Sequence, residues 1–319
     1  MREGVKVGIP RALLFHHYGQ CWISFLKAVG AEPVLSGNTT ARTIAEGSFH
    51  ADNETCLPVK VFSGHLMELK DSVDYLLVPR VVRQSIGYCA CPKFLGLPDM
   101  ARSLDDDLPP ILAPLVDLGD MRLLWAKEWY SIARFLGAGR MRSALAVANM
   151  LRSYRLEHAN NRGEEESGIP IGVAGHLYNV FDDGASLGLL SRLRRMGAEP
   201  VTVEDVNPRL ARRELKSIPR RIFWGFEATL AGAVLHWSRT RSVAGVVFVT
   251  SFGCGPGSIV GALLADELER SNSIPLMTIT LDEHSAEAGL VTRLEAFVDM
   301  LKRNYAATST PHILEAGIT

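Results

Sequence analysis

The 319-residue chain carries little that would place it in a specialised class. It lacks a surplus of charge of either sign, with 34 Lys and Arg against 35 Asp and Glu and a formal charge of -1. No bulk field therefore draws it to nucleic acid or to an anionic membrane. It lacks an apolar run near the roughly 18 residues of a membrane-crossing helix. Its greasiest stretch, Val243 to Ser251, has the length of a buried strand. The opening MREGVKVGIPRALLF has neither the apolar stretch nor the cleavage site of a secretory signal, so the expected location is cytoplasmic. Cysteine is scarce: five residues without C-x-x-C knuckles argue against a disulfide scaffold and make structural zinc a poor fit. No GxxxxGK[ST] string occurs, and Gly253, Gly255 and Gly257 miss the dinucleotide fingerprint because position 258 is Ser.

What is present is a foldable composition, 47% hydrophobic and 22% charged, enough for one large or two ordinary domains. Val5 to Ile9 reads as a strand and is followed by a helical stripe of Leu14, Tyr18, Trp22, Phe25 and Val29 ending at Gly30. Ala31 to Leu35 reads as a second strand. The same grammar returns after the turn-rich GEEESG of Gly163 to Gly168, with a strand at Ile169 to Ala174 and a helix through Leu189 and Leu193. Gly197-Ala198-Glu199-Pro200-Val201 then repeats Gly30-Ala31-Glu32-Pro33-Val34, and strands at Tyr75 to Pro79 and Val246 to Thr250 keep a similar offset. The economical expectation is two related α/β lobes with parallel sheets, over 1–120 and 163–319. Two helices within 121–162, read from Met121 to His158 and broken near Gly137 and Gly139, join them. Functional loops of such lobes sit at the C-terminal sheet edges, and the cleft between the lobes is the expected site.

Three cysteines share one local chemistry. Cys56 precedes Leu57-Pro58 and a helix, Cys91 precedes Pro92 in the loop after the Tyr75 strand, and Cys254 lies in Gly253-Cys254-Gly255-Pro256-Gly257, where a strand turns into the helix Ile259 to Arg270. Each has a proline within two residues, which removes a donor and stiffens the loop. Helix N-termini favour thiolates and donate N–H groups to anionic sulfides. Cys21 falls on the apolar stripe of the first helix and reads as core. Cys89 is a fourth thiol, although its one-residue spacer to Cys91 points the two side chains apart. Taken singly, each cysteine also reads as a small buried hydrophobe.

Cys56-Leu57-Pro58-Val59-Lys60, the block from Cys91-Pro92-Lys93-Phe94 through Leu97-Pro98-Asp99, and Thr280-Leu281-Asp282-Glu283-His284 with Thr292-Arg293-Leu294-Glu295-Ala296-Phe297 add up to a resemblance. The chain resembles acyl-CoA dehydratase activase-related proteins. That family is similar to the cluster-bearing subunits of 2-hydroxyacyl-CoA dehydratases and benzoyl-CoA reductase, and to double-cubane cluster proteins. The resemblance implies two Rossmann-like, flavodoxin-like lobes, with Cys56, Cys91 and Cys254 holding a [4Fe-4S] cluster in the cleft between them. It implies low-potential electrons from a separate ATP-hydrolysing activase that carries its own [4Fe-4S] cluster. A small molecule would be reduced at an iron left open, which makes the chain an ATP-dependent reductase component. A double cubane needs about six thiolates, by analogy with three per cubane, so a single cluster is preferred. A double-cubane [8Fe-9S] group shared across a homodimer stays open. So do a non-catalytic cluster carrier or scaffold for the activase, a CoA-ester dehydratase-like subunit, and a redox-inert α/β binding module.

Candidate catalytic groups are Glu54, Lys60, His176 and His284. Glu54 and Lys60 flank Cys56, and Lys60, four residues on, falls on the same helical side, where its charge favours a reduced cluster; the alternative is a solvated lysine. His176 follows a lobe-two strand, where it donates to a cluster ligand or substrate or is a plain loop histidine. His284 and Glu287 are spaced as an acid/base pair, while Thr280-x-x-Glu283 fits a capping box that explains both of its residues without catalysis. Gly184-Ala185-Ser186-Leu187-Gly188 matches a nucleophile elbow but opens a helix without leaving a buried strand, and is read as chance.

Overall fold

The computed structural model describes residues 4–117, 122–156, 168–218 and 221–309. In the first lobe β1 (Lys6–Ile9), α1 (Phe15–Val29), β2 (Glu32–Leu35), α2 (Ala41–His50), α3 (Leu57–Leu69) and β3 (Tyr75–Leu77) alternate along the chain. The stripe that marks α1 is the face it buries, with Tyr18, Trp22, Phe25 and Val29 in the core. Gly30 ends the helix at φ 92, a left-handed conformation that suits a residue without a Cβ. Next come β4 (Arg80–Ser85), β5 (Tyr88–Cys89), α4 (Pro92–Arg102), β6 (Ile111–Leu112) and β7 (Leu115–Asp117).

Two helices follow, α5 (Arg122–Phe135) and α6 (Arg140–Leu156), broken at Gly137 with φ 93. They pack on β7 and α1, where Trp129 meets Phe25 edge-on at 5.0 Å. Met121, positions 157–158 and all of GEEESG except Gly168 lie outside the described residues.

The second lobe runs β8 (Ile169–Gly175), α7 (Leu177–Val180), α8 (Asp183–Ser186), α9 (Leu189–Arg195), β9 (Ala198–Thr202), α10 (Pro208–Glu214), α11 (Gly225–Thr240), β10 (Gly245–Ser251), α12 (Gly255–Arg270), β11 (Leu276–Leu281) and α13 (Glu287–Ser309). Its sheet has the order β11-β10-β8-β9 and the first lobe's sheet the order β2-β1-β3-β6, and every pairing in both is parallel. The GAEPV copies do the same work in each lobe, since Glu32 pairs with Lys6 and Ala198 with Ile169 to set the second strand beside the first. Two Rossmann-like α/β units account for the repeat. β10 is buried at every position, as a parallel strand covered on both faces must be.

A third sheet, β5-β4-β7, has no counterpart in the sequence expectation. Its hairpin turns at Gly87, φ 82, and stands between β3 and Cys91, so Cys91 is not in the loop directly after β3. The reason is local: β5 is two residues long and carries no apolar alternation from which to read a strand.

One continuous apolar core joins the first lobe to a face of the β8–β10 sheet, and a second cluster fills the other face. Among the described residues no helix is long and apolar enough to cross a membrane.

Candidate functional site

Cys56, Cys91 and Cys254 are the N-cap residues of α3, α4 and α12. Each has extended backbone and a proline in the first helical turn, which fixes φ where a free N–H would go unused. Backbone N–H groups of the first turn act on two of the sulfurs, those of Lys93 and Phe94 on Cys91 and that of Gly257 on Cys254. Burial pushes the Cys91 thiol up, while the N–H groups of Phe94 and Lys93 pull it back and the neighbouring Cys56 and Glu227 push it further. Cys254 is pushed up to about 12 by burial, opposed by the Gly257 N–H and reinforced by Cys56, Glu227 and Cys91. The mutual influence of the three sulfurs follows from their convergence on one cavity, where the first lobe meets the second.

That cavity encloses about 500 Å³ of space between atoms, open solvent at its mouth included. Phe94, Leu97, Phe226 and Val59 give it apolar walls, and Lys93 borders it. His176, the N-cap of α7, stacks on Tyr178 with ring centroids 5.0 Å apart and an interplanar angle of 6°, and Phe226 meets it edge-on. Its Nε2 lies 3.1 Å from Oε1 of Glu227, and both side chains are buried. A carboxylate only accepts, so Nε2 carries the proton of that bond. Burial drives the Tyr178 phenol well above its ordinary range, and the charges of Cys254, Cys91, Glu227 and Cys56 add to the effect. Ser251 Oγ donates to Asn179 Oδ1 at 2.9 Å, while the buried Asn179 Nδ2, in the same wall, has no hydrogen-bond partner.

The remaining sequence candidates lie elsewhere. Cys21 is fully buried in the first-lobe core. Cys89 is exposed on β5, where its N–H bonds the carbonyl of Phe223. Glu54 is exposed, and its side chain does not line the cavity. Lys60 is neither solvated nor turned to the cavity: it is buried, with Nζ 2.5 Å from Glu283 Oε1 and 3.1 Å from the Asn53 carbonyl. Glu283 therefore closes no capping box. The turn before α13 is tied instead by Asp282, which accepts from the His284 N–H and the Ser285 hydroxyl at 2.9 Å each. His284 is exposed and Glu287 pairs with Arg192, so those two form no acid/base couple.

Sequence reasoning missed Glu227. Its partner His176 is 51 positions away, and the one local signal is an acid in the first turn of a helix whose other buried positions are all apolar.

Two kinds of occupant suit these donors. Ligand atoms of His176, Glu227 and Cys254 all lie within 4.8 Å of one another, as a single ion requires. The thiols of Cys56, Cys91 and Cys254 border the same cavity as this triad, with backbone N–H groups beside Cys91 and Cys254. The spare Asn179 amide and the helix N–H groups fit an anionic occupant.

Residues 6–206 match the family model described as CoA enzyme activase uncharacterised domain (DUF2229), and residues 144–301 match 2-hydroxyglutaryl-CoA dehydratase, D-component. No curated protein matches the chain. Among solved structures, the SBP FpvC from Pseudomonas aeruginosa, in complex with Mn2+, aligns at a TM-score of 0.30 with 13% identity, over 95% of this chain and 100% of that one.

Proposed function

We propose a function on the premise that the chain belongs to the family of the CoA enzyme activase domain, whose model spans well over half of it. It is an activase-related, dehydratase-like chain. On our reading it takes low-potential electrons from an ATP-hydrolysing activase and passes them to a small molecule, with Cys56, Cys91 and Cys254 as the protein ligands of one [4Fe-4S] cluster. The observation that carries this reading is the meeting of three proline-stiffened N-cap thiols on one cavity.

Bound there, such a cluster supplies single-electron reduction at an iron without a thiolate. The chain's own residues set the conditions. The Phe94, Phe226 and Leu97 walls exclude water and disfavour added negative charge, which lowers the potential at which the site accepts an electron. The N–H groups of Lys93, Phe94 and Gly257 act in the opposite sense and stabilise the thiolates. Loading itself lowers the barrier posed by the raised Cys254 thiol, because a metal binds the thiolate and releases the proton.

The test is anaerobic purification of the full chain, with iron and sulfide quantified and the reduced protein examined by EPR. Cys56→Ala, Cys91→Ala and Cys254→Ala are each expected to lose most of the iron and sulfide, while Cys21→Ala and Cys89→Ala retain wild-type loading. Wild-type loading in all three of the first variants would overturn the ligand assignment. ATP-dependent reduction of the wild-type cluster by the activase is the companion measurement, and its absence would overturn the electron-receiving role.

The match of residues 144–301 to a dehydratase component favours a second reading, loss of water from a 2-hydroxyacyl-CoA ester at the same site. Unsaturated CoA ester formed with activase and ATP present would mark it.

A further inference from the structure

We infer that Glu227, oriented by His176, is the fourth protein donor to the group held by Cys56, Cys91 and Cys254. The inference rests on the reading just given. Three observations carry it.

The first is position. Glu227 and His176 offer ligand atoms within 4.8 Å of each other and of Cys254 Sγ, and both line the cavity the three thiols share. Glu227 lines the cavity together with Cys91 and Cys254, which belong to different lobes.

The second is an imbalance. Glu227 is 3% exposed, and its hydrogen bond to the His176 imidazole is set among aromatic rings. A carboxylate removed from water needs a cation or several donors to compensate, and one imidazole N–H falls short of that. A positively charged iron at the thiol site supplies what is missing.

The third is the helix itself. The other buried positions of α11 are Gly, Ala, Leu, Val and Trp, so Glu227 interrupts a stretch that would pack better without it. Its place in the first turn is favourable for an acid, but that benefit belongs to exposed residues as much as to buried ones and does not explain the burial. Carboxylate is also a harder donor than thiolate, which makes the position it holds the exchangeable one of the four.

Wild type, Glu227→Gln, Glu227→Cys and His176→Gln chains are loaded anaerobically with iron and sulfide. After mild oxidation, iron per chain and the EPR signal of a three-iron cluster are followed over time. His176→Gln is expected to shed one iron faster than wild type by about 10–100-fold, Glu227→Gln by at least as much, and Glu227→Cys to hold it at least as well as wild type. Circular dichroism reports on folding; if Glu227→Gln does not fold, Glu227→Cys and His176→Gln decide the comparison. A cluster-bearing wild type whose fourth iron leaves at the same rate in the variants overturns this inference alone. A wild type that takes up neither iron nor sulfide overturns the proposed function and, with it, the inference.

Discussion

Lys60 is 2% exposed, and its ammonium is shared between Glu283 of the second lobe and the Asn53 carbonyl of the first. Burial raises the Glu283 carboxyl most, but the hydrogen bond and charge of Lys60, together with smaller effects of the backbone N–H, outweigh it in sum and the net shift is downward. The pair is therefore complete above the ordinary carboxylate range and is lost as pH falls through the lowered value. Removing one member of a buried pair strands the other charge, at about 3–5 kcal/mol. Glu283 is about one-fifth exposed, which places Glu283→Gln at or below the lower end of that range. Urea denaturation is expected to show a lower midpoint for Glu283→Gln. The double variant Lys60→Met with Glu283→Gln should recover part of the loss, because no charge is then left unpaired. Equal losses in the single and double variants would mean that the ion pair is not what holds the two lobes at this point.

At the scale of elements, α2 and α3 cross at glycines, and the crossing positions Cys56. A Cβ on Gly47 would stand 1.7 Å from the Lys60 carbonyl oxygen, and one on Gly64 would stand 2.0 Å from that of Thr43. Alanine is the better helix former by up to about 1 kcal/mol. Backbone carbonyls cannot yield as a side-chain tip can, so overpacking of about 1–3 kcal/mol is expected to win. Gly47→Ala and Gly64→Ala should both lower the melting midpoint and the iron bound per chain, whereas Gly96→Ala, in a helix with nothing within 4 Å, should leave the iron unchanged and hold or raise the midpoint. The same scale decides what could be read in advance. Parallel strands and N-cap prolines are local patterns, so the two sheets and the three thiol-bearing helix starts were legible in the apolar runs and in Pro58, Pro92 and Pro256. The β5-β4-β7 sheet was not, because short strands gain their partners from pairing between segments distant in the chain. Glu227 and Lys60 were missed or misplaced for a related reason: the partner that makes each burial tolerable lies 51 and 223 positions away.

Across the whole molecule, the lobes are held by a buried polar network as well as by apolar contact. Thr39 Oγ1 donates to Asp182 Oδ2 at 2.5 Å and lies 2.9 Å from His65 Nε2, so one hydroxyl links α3 to the start of α8. With its only proton given to Asp182, Thr39 must accept from His65, which fixes the neutral imidazole with the proton on Nε2. A Cβ on Gly184 would come within 2.1 Å of the Thr39 carbonyl oxygen, so the approach leaves no slack. Burial lowers the His65 pKa below 6.5; Asp182 and Glu68 oppose that shift, while His16 and Arg11 support it. Asp182 is raised by burial, but the neighbouring His16, 3.8 Å away, and hydrogen bonds from Thr39 and the Ala185 N–H bring its net value below the ordinary one. Both groups bind fewer protons folded than unfolded. Stability is then complete above pH 6.5 and declines as pH falls, first through His65 and, below the ordinary carboxylate range, through Asp182. Calorimetry should show the melting midpoint falling from pH 7 to pH 5, with a shallower fall in His65→Gln, where the first of these terms is gone. The decisive quantity is the difference in slope between the two chains; identical slopes would remove His65 from the account of how the lobes stay closed.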